Sequence, residues 1–412
     1  MRPGEGGGGT GGRRLAIRLH AGAERAVRRG HPWVFAEGIR QQRHEGLAGD
    51  LAVVFDRDNR FLAIGLYDPA SPIRIRILHR GSPETIDGDW FAARISAAFE
   101  CRRPLLETDT TAFRIVHGEN DGLPGLVVDQ YGDSMVVKLY TSAWLTHLDD
   151  VVAGLTALSS PKRIVLRLSR AVERTVAGDG VARDGQLLHG EPLIGPVMFQ
   201  ENGLRFEADL VRGQKTGFFL DQRDNRARVE QYAAGRSVLN VFAYTGGFSV
   251  YAARGGARSV TSLDMSAPAL AAAERNFLHN QSNDAVAAAQ HRVVAGDAFA
   301  VIPAMRDQGE RFDIVILDPP SFAKAQAEVE RALVSYSRII RMGLDVLTRG
   351  GLLVAASCSS RITAEQFRGA VEDTTRKAGR SMRILQQTGH PIDHPVGFEV
   401  GEYLKCIFAD VG

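Results

Sequence analysis

From about residue 236 onward, apolar runs of strand length alternate with segments of helical length. Few folds accommodate that alternation, because strands separated by whole helices pair side by side in a parallel sheet with crossover helices. The strand runs are Ser237–Val241, Ser259–Asp264, His291–Ala295, Phe312–Leu317 and Gly351–Ala356. Between the second and third, Ser266–Asn280 reads as a helix, with Ser266 as its N-cap and Pro268 in the first turn. The expected class for this part of the chain is α/β.

Upstream the periodicity changes. Leu15–Leu19, Leu51–Phe55, Phe61–Leu66 and Ile73–Leu78 read as short strands separated by turns, with a short helix over Glu24–Gly30, so residues 15–85 predict a small β barrel. An amphipathic helix at Asp89–Arg103 opens a different block. Strands at Ala112–Val116, Leu126–Asp129 and Met135–Leu139, a helix near Ser142–Leu158 and a strand at Arg163–Leu168 make residues 86–195 a central α+β domain, leaving 196–412 to the α/β domain. Residues 1–14, a glycine tract among scattered charges with no apolar core, are expected to be a flexible tail, neither signal peptide nor anchor. No apolar run approaches the roughly 20 residues that span a bilayer, so no membrane partner is expected and a cytoplasmic location follows.

Charge is unevenly placed. The net charge is +2, yet residues 1–85 hold 14 Arg, no Lys and 9 acidic residues, an excess that suits a polyanionic partner. The three cysteines, Cys101, Cys358 and Cys406, have no paired spacing, which argues against a disulfide framework or a structural metal. Cys101, on the apolar face of a helix, and Cys406, in a late strand, are expected in cores. Cys358 stands apart.

Cys358 lies in a series of segments that each follow a strand. The first strand of the α/β block ends in Asn240-Val-Phe242-Ala-Tyr244-Thr-Gly246-Gly-Phe-Ser249, where a glycine pair lets backbone pass close beneath a ligand. The second ends in Asp264, a carboxylate able to accept both hydroxyls of a ribose, and the third leads to Gly296-Asp297-Ala298, placed to hold an adenine amino group. The G-x-G-x-x-G spacing is absent from the turn after the first strand, which disfavours a nicotinamide oxidoreductase, and the P-loop pattern is absent too. A cofactor with ribose and adenine but no phosphate fits, and S-adenosylmethionine is the common one. The fourth strand ends in Asp318-Pro319-Pro320-Ser-Phe322, a proline-stiffened loop beside the cofactor's methyl group, and the fifth in Ala356-Ser-Cys358-Ser-Ser360. Parallel topology brings these last two segments to one sheet edge, so a thiol and a carboxylate come within reach of one substrate base.

The runs Asp318-Pro-Pro-Ser-Phe-Ala-Lys324, Ser357-Cys-Ser359, Gly213-Gln-Lys-Thr-Gly-Phe-Phe-Leu-Asp-Gln-Arg223 and Gly401-Glu-Tyr-Leu-Lys405 resemble the ribosomal RNA large-subunit methyltransferase I family. Gly30-His-Pro-Trp-Val-Phe35 resembles the opening of its PUA domain, an RNA-binding β barrel. Val116-His-Gly-Glu-Asn-Asp-Gly-Leu-Pro-Gly-Leu-Val-Val-Asp129 and Tyr131-Gly-Asp133 resemble its central domain. The resemblance covers nearly everything after residue 14. It implies a class I, Rossmann-like methyltransferase domain preceded by a PUA domain and a central α+β domain, a homodimer, no metal, and methylation of cytosine C5 in 23S ribosomal RNA. Cys358 is then the nucleophile at cytosine C6, and Asp318 holds the base through its N3/N4 edge. No residue singles itself out as the base that removes the C5 proton. Many RNA 5-methylcytosine enzymes carry a second cysteine in the proline loop; Ser321 stands there instead, as in the one-cysteine family.

Phe218 and Phe219 can form one wall of the cofactor pocket, and Asp221 can take the cofactor's amino group. Pro319 and Pro320 would line the substrate base, with Lys215, Arg223 and Arg226 as candidates for RNA phosphate. His117 and His394 receive no chemistry. The nearest rival is a methyltransferase on the same fold acting on a base nitrogen, an exocyclic amine or guanine N7, without a covalent adduct. Such a reaction uses an existing lone pair and needs no thiol, so Cys358 discriminates. A non-catalytic RNA-binding factor is the other rival, and cofactor binding separates it.

Overall fold

The computed structural model describes residues 14–178, 180–323, 325–398 and 401–412. The tail expected over residues 1–14 therefore lies outside the described residues, except Arg14, which opens the first strand. The chain divides into two compact units, one of residues 1–197 and 208–217, the other of 198–207 and 218–412.

In the first unit, six strands form one sheet: β1 (Arg14–Leu19), β2 (Trp33–Phe35), β3 (Ile39–Gln42), β4 (Leu51–Phe55), β5 (Phe61–Tyr67) and β6 (Ile73–Arg80), in the order β2-β6-β5-β4-β1-β3. Ile17, Val54, Ile75 and Ile77 fill one apolar cluster of this sheet. Five more strands follow: β7 (Ala112–His117), β8 (Leu126–Tyr131), β9 (Ser134–Leu139), β10 (Arg163–Leu168) and β11 (Leu187–Gly190), in the order β11-β10-β9-β8-β7. The two sheets share a core in which Leu51, Ile64, Leu66 and Leu78 join Phe91, Ile95, Phe113 and Trp144. Covering the six-stranded sheet in this way buries Arg76, which the alternation of β6 alone would leave in water. The region expected as a helix near Ser142–Leu158 starts as a 3-10 turn, Ser142–His147, before the α-helix Leu148–Ser159. Cys101 corrects an expectation: the helix Gly88–Glu100 stops just before it, and the thiol is exposed at the C-cap, away from the buried Phe91–Ile95–Ala98 stripe.

The second unit is built on a seven-stranded sheet. After the hairpin strands β12 (Val197–Glu201) and β13 (Leu204–Ala208) come β14 (Ser237–Val241), β15 (Ser259–Asp264), β16 (Gln290–Ala295), β17 (Phe312–Leu317), β18 (Leu347–Ser357), β19 (Met382–Thr388) and β20 (Lys405–Val411). The sheet order is β16-β15-β14-β17-β18-β20-β19. The strands from β14 to β18 pair in parallel, whereas β20 runs antiparallel between β18 and β19. Strands β14, β15 and β17 and the second half of β18 are largely buried, which fits their apolar runs, whereas β16 at the sheet edge is largely exposed. The chain steps outward from β14 to β15 and β16, then returns to β14's other side with β17. The carboxyl ends of β14 and β17 therefore flank a switch point, where such sheets place their ligands.

Candidate active site

Sheet topology brings the strand-tip residues to one edge: Asn240 and Phe242 at β14, Asp264 at β15, Asp297 after β16, Asp318 after β17 and Cys358 after β18. The turn after β14 is the most constrained. Phe242 (φ 61°), Tyr244 (φ 48°) and Gly246 (φ 76°) all lie in the left-handed region, which costs about 1–3 kcal/mol for each non-glycine residue and persists only where neighbours enforce it. Here they do. Leu263 O accepts Ala243 N at 3.0 Å, Asp264 Oδ2 accepts Tyr244 N at 2.8 Å, and Asn276 Nδ2 donates to Thr245 O at 2.8 Å. A Cβ on Gly246 would sit 2.8 Å from Ala273 Cβ, so only glycine lets the following helix, Gly247–Arg254, lie this close to its neighbour.

Asp264 also accepts Ser266 N at 2.8 Å through Oδ1, while its side chain stays partly exposed. A carboxylate keeps acceptor capacity beyond one bond per oxygen. Met265, beside it, is 75% exposed, an apolar surface that sequence reading passed over. Asp297 caps the helix Ala298–Asp307 through Phe299 N at 3.0 Å and is itself exposed, with Ala298 buried beneath. Asn240 is buried; its Nδ2 donates to Ser249 Oγ at 2.9 Å, and among the described residues its Oδ1 has no partner, nor has Thr245 Oγ1 in the same turn. Two orphaned buried oxygens beside a strained, glycine-bearing turn are what a polar cofactor seated at this edge would satisfy. These residues fit a ribose- and adenine-bearing group.

Phe219 packs edge-to-face on Tyr244, with ring centroids 5.2 Å apart, which joins the segment after residue 217 to the β14 turn. Phe218 is core: it packs on Phe199 and Phe206 under the Arg226 guanidinium, 4.6 Å from its ring. Asp221 is buried and accepts the Tyr403 hydroxyl at 2.9 Å. The phosphate role expected of two arginines is corrected. Arg223 is 1% exposed and paired with the buried Asp393, and Arg226 forms a buried two-point pair with Glu201 at 2.8 and 2.7 Å. Neither guanidinium is presented to solvent, because each is matched to a buried carboxylate. Lys215 belongs to the first unit; it is half-buried at φ 53°, and its carbonyl accepts Lys138 Nζ at 2.9 Å.

At the other side of the switch point, Cys358 Sγ lies 3.9 Å from the carbonyl oxygen of Pro319. The thiol is partly exposed, and Asp318 and Pro320 in the facing loop are likewise accessible. Ser321 and Ser359 both donate to Ala323 O at 3.0 Å, tying the proline loop to the Cys358 turn. Beneath them Tyr336 is buried; it accepts Ser357 Oγ at 2.9 Å and packs on Phe322, and burial, with Cys358 and Asp318 nearby, pushes its hydroxyl well above the usual range. By contrast Cys406 is buried in β20, and burial pushes its thiol up and out of reach of ionisation. Lys405, the residue before it, was not singled out as a site residue by the sequence. It is buried and reaches the carbonyls that follow Cys358.

Residues 174–405 match the family model of S-adenosylmethionine-dependent methyltransferases, and residues 17–80 match a PUA-like domain. A Deinococcus radiodurans protein named ribosomal RNA large subunit methyltransferase is 49% identical over 400 residues, covering 96% of this chain and 97% of that protein. The ribosomal RNA large subunit methyltransferase I of Shewanella denitrificans is 37% identical over 401 residues, 96% of this chain and 99% of that one. The chain belongs to the ribosomal RNA large subunit methyltransferase I family. Its cofactor is S-adenosylmethionine. The fold agrees: a methyltransferase crystal structure complexed with SAH superposes with a TM-score of 0.80 at 25% identity, over 97% of this chain and 100% of that one. A SAM-dependent methyltransferase from Streptococcus mutans gives 0.79 at 25% identity, over 96% and 99%. Among the described residues no helix is long and apolar enough to cross a membrane.

Proposed function

We propose that this methyltransferase forms 5-methylcytosine in 23S ribosomal RNA through a covalent adduct between Cys358 and cytosine C6. The observation that carries the reading is the partly exposed thiol 3.9 Å from the Pro319 carbonyl, at the tip of the strand beside Asp318. Asn240, Phe242, Tyr244, Gly246, Asp264, Asp297, Ala298, Phe219 and Asp221 would hold the cofactor, which supplies an electrophilic methyl group. Carbon 5 of cytosine is too weak a nucleophile to take that methyl unaided. Addition of the Cys358 thiolate to C6 pushes the ring electrons toward C5, and Asp318, bonded to the N3/N4 edge, favours the protonated adduct. Once C5 carries the methyl group, loss of its proton sends the electron pair back to the C5–C6 bond and expels the thiolate. Pro320, exposed, would give the base a wall, stiffened by the buried Pro319 before it.

The ribosomal substrate comes from the names of the relatives. It is supported by the PUA-like domain, where Arg25, Arg29, Arg40 and Arg43 are exposed. We read residues 15–85 as the RNA-holding domain, 86–195 as the central one and 196–412 as the methyltransferase, with Lys215 as a candidate phosphate contact. The family resemblance adds a cytoplasmic homodimer, which sedimentation would test. Bisulfite sequencing of ribosomal RNA from a strain lacking the protein should show one 5-methylcytosine lost, restored by the intact chain and not by Cys358→Ala. No 5-methylcytosine lost in that strain would favour methylation of a base nitrogen, and full restoration by Cys358→Ala would remove the thiol from the mechanism.

A further inference from the structure

Strand β20 is antiparallel to β18, with Lys405 in register with Ser357, the last residue before the Cys358 turn. Lys405 is 5% exposed, yet it is a cation, and a buried ammonium persists only where acceptors surround it. Its Nζ donates to the carbonyl oxygens of Ser359 and Ile362, at 2.6 Å for the latter, and so bridges both ends of the turn that follows the thiol. We infer that Lys405 is a positioning residue for Cys358: its buried amine clamps the turn that carries the sulfur and keeps a positive charge beside it, favouring the thiolate.

This rests on Cys358 being the nucleophile. Among the described residues, charged and titratable groups near the sulfur divide by sign. Asp318, from the β17 end, opposes a thiolate, and Tyr336, from the helix Val329–Val346 below, stays protonated because it is buried. Lys405 is brought down to about 8, first by burial, with Cys358 and Glu402 acting in the other direction. Attraction between two groups is mutual, so the charge that Cys358 helps Lys405 retain is one that helps Cys358 ionise. Near neutral pH most Lys405 side chains are still charged, and a thiolate beside them offsets the cost of burying that charge. The two side chains come from strands adjacent in the sheet but 47 residues apart in sequence, so only the late antiparallel return of the chain creates the pair.

The test is the rate of iodoacetamide alkylation at Cys358 against pH, read on its own peptide by mass spectrometry in the full-length protein. Lys405→Gln keeps a donor for the carbonyls and removes the charge; the alkylation midpoint should rise by about one pH unit or more, and Lys405→Arg should return it toward the wild-type value. An unchanged midpoint in Lys405→Gln would overturn the inference. Should that variant fail to fold, the wild-type midpoint decides: at or below the roughly 8.5 of a free thiol it supports the pair, and above that it contradicts it. A Cys358→Ala protein that still methylates would defeat the nucleophile itself, a result separate from the alkylation profile.

Discussion

Both carboxylate oxygens of Asp264 hold backbone amides, Tyr244 N and Ser266 N at 2.8 Å each, before any cofactor arrives. One residue thus shapes the β14 turn and, in the proposed site, would accept the cofactor's ribose. Replacing it with alanine removes two charge-assisted bonds, worth about 1.5–3 kcal/mol apiece where an ionised group takes part, and leaves Tyr244 in a left-handed conformation without its anchor. Asp264→Ala should therefore weaken S-adenosylmethionine binding at least about tenfold, or roughly 1.4 kcal/mol, in a calorimetric titration; wild-type affinity would show that the carboxylate has no part in the site. Arg223 teaches the opposite lesson. As a sequence it reads like a surface arginine at a helix start. It is buried because Asp393, 170 residues away, is folded against it, and no local pattern announces such a partner.

At the scale of elements, the central parallel strands were legible because they are largely buried and rich in apolar residues; Ser237–Val241, Ser259–Asp264 and Phe312–Leu317 have the bounds expected of them. The tip residues were legible for a related reason. Asn, Asp, Gly and Pro stand at these tips where propensity would otherwise continue a strand, which breaks the apolar pattern and marks the strand ends. Strands β19 and β20 were harder to read, since Met382–Thr388 is half-exposed and mixes polar with apolar residues, and a reversal of direction leaves no periodic trace. Lys405 was missed for that reason: at the start of a late strand a lone lysine looks solvated. The β14 turn provides an element-scale prediction. Gly246→Ala forces a Cβ into φ 76° and to 2.8 Å from Ala273 Cβ, costing roughly 1–2 kcal/mol from handedness alone and more from the clash. A lower thermal midpoint together with weakened cofactor binding is expected; loss of neither would mean that the helix Gly247–Arg254 has room to move.

Over the whole molecule, the two compact units divide unlike tasks. The second contains every residue assigned to the cofactor and to the thiol chemistry. The first holds the PUA-like domain, several of whose arginines are exposed on the six-stranded sheet and its helix. Sequence composition revealed the basic excess near the N-terminus but not the shared core of Leu51, Leu78, Phe91 and Trp144, since contact between sheets depends on three-dimensional faces that no linear count contains. The central claim is a bond between Cys358 and a pyrimidine carbon, and trapping that bond tests it most directly. In 23S ribosomal RNA transcribed with 5-fluorocytidine, fluorine replaces the C5 proton whose loss must release the enzyme. With S-adenosylmethionine present, the account predicts a stable protein–RNA adduct that maps by mass spectrometry to the Cys358 peptide and is absent in Cys358→Ala. Methylation of unmodified RNA by the same preparation, with no adduct formed on the fluorinated RNA, would contradict it.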